Sequence, residues 1–302
     1  MSAIPVAGLA LVLAASCSLA RPEPDLGRYE YRQIIMGAEA RIVLHAPHED
    51  AARAAAAAAF ARMNELDAIL SDWRVDSELN HLCAQAGGPA SPVSEDLYTV
   101  LDVALQVAAA SGGAFDPTVG PLTRLWRAAR ATGKPPSPEQ IAAARRYVGY
   151  QHLHLEPAAR TVQLELPGMQ LDLGGIGKGY ACDEAGEVLR AHSTPRFLID
   201  FGGEILTGEG SWRVLVHNQP LCLSQQALAT SGDSEQHLDA AGQRLSHVLD
   251  ARTGDALVNA GELSVLASSS TVADALATAC SLVSREEREP LSAAFGARLL
   301  VP

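Results

Sequence analysis

Aromatic residues are scarce in this sequence: Phe, Trp and Tyr make up 5% of its 302 residues. Small side chains, alanine above all, must therefore fill much of the core. Acidic residues outnumber basic ones and the net charge is -12, which argues against a nucleic-acid-binding protein because such surfaces need a basic patch. None of the five cysteines belongs to a Cys-x-x-Cys pair, so nothing points to a zinc site of that type.

The N-terminus has the form of an export signal. Ile4–Ala15 is an apolar run too short to anchor stably across a bilayer, and no later segment is long and apolar enough for a transmembrane helix. Ala14-Ala15-Ser16-Cys17 loosely matches a lipoprotein cleavage box, after which Cys17 would carry lipid; ordinary cleavage shortly after it is the alternative. We therefore expect a signal segment over 1–20, a tether over 21–28 and export to the periplasm. A lipidated cysteine would anchor the protein to the periplasmic face of the inner membrane.

Hydrophobic periodicity predicts helices and strands that are interleaved without strict β-α alternation, which favours a mixed α+β fold over a doubly wound one. The predicted helices are Glu49–Leu70, Glu95–Ser111, Pro138–Arg146, Lys178–Ala191 and Thr271–Val283. The predicted strands are Tyr29–His45, interrupted at Met36-Gly37, then His152–Leu155, Thr161–Leu166, Arg196–Asp200, Trp212–His217, Ala227–Thr230, Leu245–Leu249 and Glu262–Ala267.

The strongest chemical signal is the glycine-rich segment Leu171–Tyr180. Its glycines let the backbone approach a ligand closely, the amides that open the next helix suit phosphate, and Lys178 adds a positive charge. Two familiar phosphate motifs fail here. A P-loop needs Gly in place of Asp172 and Ser or Thr in place of Gly179, and a dinucleotide fingerprint needs Gly in place of Tyr180. A ligand-free strand-to-helix turn remains the alternative.

Other candidate groups are weaker when each is taken alone. Asp274 and Thr278 lie four residues apart on a predicted helix and so share a face; their hard oxygens suit magnesium, although capping or an internal hydrogen bond would also explain them. His247 is the best-placed general base, while a lone histidine is more often structural. His152 and His154 could form a metal pair, but solvent-facing alternation is the favoured explanation.

Taken together and in order, eight segments resemble the ApbE family of FAD:protein FMN transferases. They are MGA at Met36–Ala38, LSDWRVDSELNHL at Leu70–Leu82, GAFDPTVGPL at Gly113–Leu122, LDLGGIGKGYACD at Leu171–Asp183, FLIDFGGEI at Phe197–Ile205, ALATSGD at Ala227–Asp233, HVLDARTG at His247–Gly254 and SSSTVADALAT at Ser268–Thr278. The DPTVGPL, DLGGIGKGY and ATSGD segments are the most specific of the series.

The resemblance implies an α+β fold with a mixed sheet, a tunnelling-fold-like core and added helices, forming one domain over 29–302. It implies Mg²⁺-dependent transfer of FMN from FAD to a Thr hydroxyl of an acceptor flavoprotein with a Ser/Thr-Gly-Ala-Thr type motif, releasing AMP. The flavin-nucleotide contacts that it implies are Met36, Trp73, Ala114, Phe115, Asp116, Asp172, Lys178 and Val248. The implied magnesium ligands are Gly175, through its backbone oxygen, Asp274 and Thr278, and the implied catalytic residue is His247.

Two other functions remain open on the same residues. One is a magnesium-dependent FAD pyrophosphatase that yields FMN and AMP, with water in place of the Thr hydroxyl. The other is a periplasmic flavin-binding lipoprotein without catalysis.

Overall fold

The computed structural model describes residues 26–232, 237–240, 242–259 and 261–300. The expected signal segment with Cys17, and residues 21–25 of the expected tether, lie outside these ranges. The tether was expected to reach residue 28, but Gly27 and Arg28 already pair within the first strand. No helix within the described ranges is long and apolar enough to cross a membrane.

Helices and strands are interleaved along the chain without strict alternation. The helices are α1 (Glu49–Leu70), α2 (Glu78–Cys83), α3 (Glu95–Ala110), α4 (Gly120–Thr132), α5 (Pro138–Arg145), α6 (Gly177–Ala191), α7 (Ser270–Leu282) and α8 (Arg285–Ala294). The strands are β1 (Gly27–Ile35), β2 (Ala38–Ala46), β3 (Ser91–Pro92), β4 (Leu153–Glu156), β5 (Thr161–Leu164), β6 (Phe197–Phe201), β7 (Glu204–Thr207), β8 (Trp212–Val216), β9 (Gln219–Leu223), β10 (Ala227–Ser231), β11 (His237–Ala240), β12 (Gln243–Leu249), β13 (Ala256–Val258), β14 (Leu263–Ala267) and β15 (Arg298–Leu300).

A seven-stranded sheet with the order β1-β2-β6-β7-β10-β14-β15 forms the centre of the molecule, and each neighbouring pair is antiparallel. The turn between β1 and β2 consists of Met36 and Gly37, with φ angles of 49° and 74°. Positive φ at both positions is what a type I′ hairpin turn requires, and this turn type matches the twist of paired strands. Smaller sheets have the orders β11-β12-β13 and β3-β5-β4, and β8 pairs with β9.

Both faces of the main sheet are covered, as the alternation along β2 shows. Ile42 faces the larger core, which is enclosed by α1, α3, α6 and α7. Its neighbour Val43 faces the second core, where Trp212 brings the β8–β9 hairpin against the sheet. A third cluster joins α4 to the β11-β12-β13 sheet through Leu122 and Trp126. The helix α4 is therefore fixed to the small sheet rather than to the main one.

The predicted α+β class is confirmed, and the sheet expected to be mixed is antiparallel in its described pairs. Each predicted helix is present with both ends within one residue, and each predicted strand has a counterpart. The sequence prediction missed α2, α4, α8 and several short strands, of which α4 and β7 contribute to the site described below. The tunnelling-fold-like core stays a prediction.

Candidate active site

A cavity of about 510 Å³ lies where the β1–β2 turn, the β6–β7 turn, α4, the first turn of α6 and the later part of α7, from Asp274 to Leu282, meet. Segments that are far apart in the chain supply its walls. Each residue that the sequence or the resemblance marked as a site residue lines this cavity: Met36, Trp73, Ala114, Phe115, Asp116, Asp172, Gly175, Lys178, His247, Val248, Asp274 and Thr278.

The glycine-rich segment enters the cavity as a tight turn before α6. The amide of Gly174 donates to Asp172 Oδ1 over 2.8 Å, and the Asp172 amide donates to the carbonyl of Pro117 over 2.9 Å. The turn is thereby tied to the loop that precedes α4. Lys178 follows in the first turn of α6. The neighbouring amides are already bonded: those of Gly177 and Tyr180 donate to backbone carbonyls and that of Gly179 donates to Asp274.

Asp183 of α6 fixes the beginning of α7. Its carboxylate accepts hydrogen bonds from the amides of Ser270 (2.8 Å) and Thr271 (2.9 Å) and from the hydroxyls of Ser269 (2.7 Å) and Thr271 (2.6 Å). These bonds satisfy amides that a helix N-terminus otherwise leaves unpaired, and they place a negative charge at the positive end of the helix dipole. The two side chains predicted to bind magnesium are therefore carried by a helix that is held against α6.

The glycine-rich segment and α7 meet at three of the predicted residues. The amide of Gly179 donates to Asp274 Oδ2 over 2.9 Å, and a Cβ atom on Gly175 would lie 2.9 Å from Thr278 Oγ1. Asp274 is only 4% exposed. Burial raises the pKa of its carboxyl, while the Lys178 ammonium and the Gly179 amide oppose the rise. Gly175, Asp274 and Thr278 thus converge on one part of the cavity, beside a fixed cation.

Glu204, at the start of β7, belongs to the same cluster. It is 3% exposed and forms an ion pair with Lys178, whose Nζ also donates to the Gly202 carbonyl over 3.2 Å. Burial raises the pKa of Glu204 to about 8; the Asp274 carboxylate adds to this rise and Lys178 opposes it. Burial lowers the pKa of Lys178, but the two neighbouring carboxylates raise it by more, so the ammonium stays charged.

These oxygen donors fit magnesium. A carboxylate, a hydroxyl and a peptide carbonyl are hard ligands, and Mg²⁺ keeps its other positions for water and substrate phosphates. Throughout the described ranges, no group of three or more His, Cys, Asp or Glu side chains is arranged to hold a metal. A cation bound by Gly175, Asp274 and Thr278 would complete its coordination with water and substrate oxygens.

Trp73 offers the cavity a flat, accessible ring, since it is 72% exposed. The guanidinium of Arg127 lies over the indole at 4.0 Å from the ring centroid, which is a cation–π geometry. Arg127 is also ion-paired with Asp72 and lies 3.6 Å from Asp172 Oδ2. Phe115, in contrast, is 6% exposed, so most of its ring belongs to the core and only a small part can contact a ligand.

Asp116 lines the cavity but uses its oxygens within the protein. Oδ1 accepts from the amide and the hydroxyl of Thr118, over 2.8 and 2.7 Å, and Oδ2 accepts from the Tyr150 amide over 2.8 Å. Burial raises the pKa of the Asp116 carboxyl, and these donors oppose the rise. Its direct effect is to shape the loop that brings Ala114 and Phe115 to the cavity.

His247 lies on β12, where alternation places its neighbours Ser246 and Val248 inside and the imidazole outside, on the cavity wall. The Val248 amide donates to Ser246 Oγ over 3.1 Å. The turn after β12 is closed by the Gly254 amide, which donates to the Asp250 carbonyl over 2.7 Å. The position of the histidine is therefore set by a well-bonded strand.

Known proteins share this arrangement of segments. A sequence model of the ApbE family matches residues 36–297. The chain belongs to the ApbE family. It is 32% identical over 292 residues to the FAD:protein FMN transferase of Treponema pallidum (strain Nichols), an alignment that covers 86% of this chain and 80% of that relative.

Two solved ApbE structures have the same fold as this chain. The flavin transferase ApbE from Vibrio cholerae superposes with a TM-score of 0.79 at 26% identity, covering 91% of this chain and 93% of that one. The ApbE protein from Thermotoga maritima superposes with a TM-score of 0.81 at 28% identity, covering 91% and 94%.

The cavity of this ApbE-family chain also contains residues that the sequence prediction missed, namely Arg127, Arg130, Glu204 and Thr230. The two arginines follow Thr123 at helical spacing, so a helix predicted after DPTVGPL would have placed all three on one face. Glu204 gave no such signal, because a charged residue after two glycines is typical of an exposed turn.

The histidine pair of the ApbE-family chain lies away from this cavity. His152 Nδ1 and His154 Nε2 both contact Glu165 Oε2, over 2.9 and 3.1 Å, at an exposed surface. The favoured prediction, a solvent-facing pair, agrees with this exposure.

Proposed function

We propose that this ApbE-family chain transfers the FMN half of FAD to a Thr hydroxyl of an acceptor flavoprotein, releasing AMP, and that the reaction depends on Mg²⁺. One observation carries the proposal: Gly175, Asp274 and Thr278 converge beside Lys178 in a cavity that also presents Trp73. The name FAD:protein FMN transferase, which several relatives carry, supports the same reaction.

The proposed reaction is a displacement at the phosphorus of the FMN half. The acceptor Thr oxygen forms a new bond to phosphorus, the bond from phosphorus to the bridging oxygen breaks, and AMP leaves with that oxygen and its electron pair. His247 is exposed on the cavity wall and accepts the proton of the Thr hydroxyl as a general base. The product is a flavin linked to the acceptor by a phosphoester.

The remaining groups neutralise and orient the diphosphate. Asp274, Thr278 and the Gly175 carbonyl would hold a magnesium ion, which would offset charge on the phosphate oxygens. Lys178 supplies a second positive charge, and Glu204 with the neighbouring Gly202 carbonyl keeps its ammonium directed into the site.

The flavin end depends more on shape than on charge. Trp73 stacks against the flat ring system with its accessible area, and Phe115 flanks it. Met36, Ala114 and Val248 line the same cavity and complete the apolar contacts. Asp172 lines it as well, 3.6 Å from the guanidinium of Arg127.

We also propose that the protein acts in the periplasm after export. The support is the sequence of residues 1–20, in which an apolar run precedes Cys17. Lipid attached to Cys17 would hold the enzyme at the membrane surface, where membrane-bound acceptors are within reach. The anchor is tested by growing cells that express wild type or Cys17→Ser with labelled palmitate and separating the proteins by electrophoresis. Wild type should carry the label and differ in mobility from Cys17→Ser, which should carry none.

The function is tested by incubating the purified protein with FAD, Mg²⁺ and an acceptor domain that carries the Ser/Thr-Gly-Ala-Thr motif. Intact-mass measurement should show the acceptor heavier by one FMN, with AMP released in equal amount. AMP and FMN without an adduct would identify a pyrophosphatase instead. FAD that is bound but unchanged would leave only a flavin-binding protein, and an acceptor with Val in place of its Thr serves as the matched control.

A further inference from the structure

One face of α4 forms part of the cavity wall. Thr123, Arg127 and Arg130 recur at helical spacing and all line the cavity. The adjoining side of the helix is anchored, because the Trp126 indole N–H donates to the Gly254 carbonyl over 2.9 Å and Leu122 packs on the small sheet. The two arginines therefore project from a fixed helix.

The cations of the cavity differ in their direct partners. Lys178 is paired with Glu204. Arg127 is paired with Asp72, lies near Asp172 and covers Trp73. Arg130 is half-buried in the same wall, yet within the described ranges its side chain forms neither a hydrogen bond nor an ion pair.

An unpaired guanidinium in such a position needs an explanation. Burial and the neighbouring Arg127 charge lower the pKa of Arg130, and the Asp172 carboxylate opposes them; as an arginine, the side chain stays protonated. Moving a charged side chain out of bulk water costs free energy unless a counter-charge or hydrogen bonds compensate for the loss of hydration. The Asp172 carboxylate acts on Arg130 only from beyond ion-pair distance, so the lack of a direct partner among the described residues points to a ligand.

We infer that Arg130 binds a phosphate group of the dinucleotide substrate through its two-pronged guanidinium. The inference rests on the proposed function, and it adds a residue to the site that neither the sequence motifs nor the resemblance marked. A planar fork of N–H donors matches phosphate oxygens in pairs. Among the cavity cations of the described residues, Arg130 is the one without a carboxylate in direct contact, so its N–H donors are the most available to a phosphate.

The phosphate could belong to the FMN half or to the AMP half of FAD, and binding measurements separate the two sources. Titrate the full-length protein, without metal, with FAD, FMN, AMP and riboflavin, and repeat with Arg130→Gln. We expect Arg130→Gln to lower the affinity for FAD at least tenfold. The affinity for FMN should fall as well if Arg130 contacts the phosphate of the FMN half, and the affinity for AMP should fall if it contacts that of the AMP half. Riboflavin, which has no phosphate, should bind both forms equally. Arg130→Lys should recover part of the loss, because it keeps the charge and loses the fork.

Arg124→Gln is the matched control, since Arg124 lies on the same helix but is exposed and contacts Asn80 Oδ1 over 3.3 Å. It should change none of the four affinities. The inference is overturned if Arg130→Gln binds FAD, FMN and AMP within twofold of wild type, or if riboflavin weakens as much as FAD. If wild type transfers FMN and Arg130→Gln binds the nucleotides normally, only the inference about Arg130 is wrong. If wild type binds AMP but no flavin, the proposed function is wrong, and the effect of Arg130→Gln on AMP affinity then tests the role of Arg130.

Discussion

Gly179 of α6 lies directly against Ser270 of α7: a Cβ atom on Gly179 would be 2.3 Å from the Ser270 carbonyl oxygen and 2.7 Å from Asp274 Cβ. Real side chains do not approach a backbone oxygen so closely. The two helices can therefore pack, and the Gly179 amide can reach Asp274, only because this position has no side chain.

Gly179→Ala should therefore destabilise the protein and displace α7. Overpacking of a tight contact costs about 1–3 kcal/mol, and we expect a lower melting temperature and weaker magnesium-dependent turnover. Gly177→Ala is the control, because a Cβ atom there meets nothing within 4 Å. Equal melting temperatures for the two variants, in thermal unfolding followed by circular dichroism, would contradict the close packing of α6 and α7.

Asp274→Asn should remove magnesium dependence while preserving shape. The amide oxygen can still accept from Gly179, but the negative ligand is lost. Loss of a residue that only hydrogen-bonds to a metal ligand already lowers metal affinity or activity about 10–100-fold. Because Asp274 is itself a proposed ligand, we expect turnover to fall at least about 100-fold. Initial rates against Mg²⁺ concentration measure this, with the exposed Asp102→Asn as control. A wild-type magnesium curve in Asp274→Asn would remove Asp274 from the metal site.

Stability of the metal-free protein should fall as the pH rises. The pKa of Glu204 is raised from 4.5 to about 8, so between these values the folded chain holds a proton that the unfolded chain has released. The contribution of this proton to the free energy of unfolding is therefore fully present below about pH 4.5. It decreases as the pH rises and is lost above about pH 8, with a slope of up to about 1.4 kcal/mol per pH unit. The pKa of Asp274 is raised as well, which acts in the same direction.

Glu204→Gln should flatten this pH profile, because the neutral amide has no proton to lose. Urea unfolding in EDTA at pH 5, 6, 7 and 8 measures the slope, and Glu289→Gln, at an exposed position of α8, should keep the wild-type slope. If Glu204→Gln keeps it too, the proton is held elsewhere in the cluster.

Trp73 should report flavin binding. Trp126 and Trp212 are 4% and 9% exposed, against 72% for Trp73. We expect Trp73→Phe to lose most of the tryptophan quenching by FAD, while flavin fluorescence shows an affinity within about threefold of wild type, because a stacking face remains. Trp73→Ala should weaken binding roughly tenfold or more, since stacking on a base or similar ring is worth about 1–3 kcal/mol. Unchanged quenching in Trp73→Phe would place the flavin elsewhere.

Local patterns predicted much of the fold. The helix Glu49–Leu70 was predicted at its observed ends, because Phe60, Met63 and Leu66 recur at helical spacing within an alanine-rich segment. The helix α4 was missed because it begins with Gly-Pro and mixes arginines with its buried positions Leu122 and Trp126. Its partner, the β11-β12-β13 sheet, is distant in the chain, so the apolar face had no local explanation.

Some residues of the site could likewise be predicted from local sequence patterns, and others could not. Asp274 and Thr278 could be paired from their spacing alone, and the resemblance linked them to Gly175. Glu204 could not be found this way, since its burial depends on the pairing of β7 with β6 and on Lys178 arriving from α6. A residue whose chemistry arises from tertiary contacts leaves no periodic trace in the sequence.

The hydrogen bonds from Ser269, Ser270 and Thr271 to Asp183 also bear on how the protein responds to its substrate. They join segments almost ninety residues apart, and the cavity walls extend from Met36 to Leu282. A ligand that binds only this assembled state stabilises the whole chain through mass action, by about 2.7 kcal/mol at a hundredfold excess over Kd. Substrate supply then sets how long the enzyme survives proteolysis as well as how fast it works.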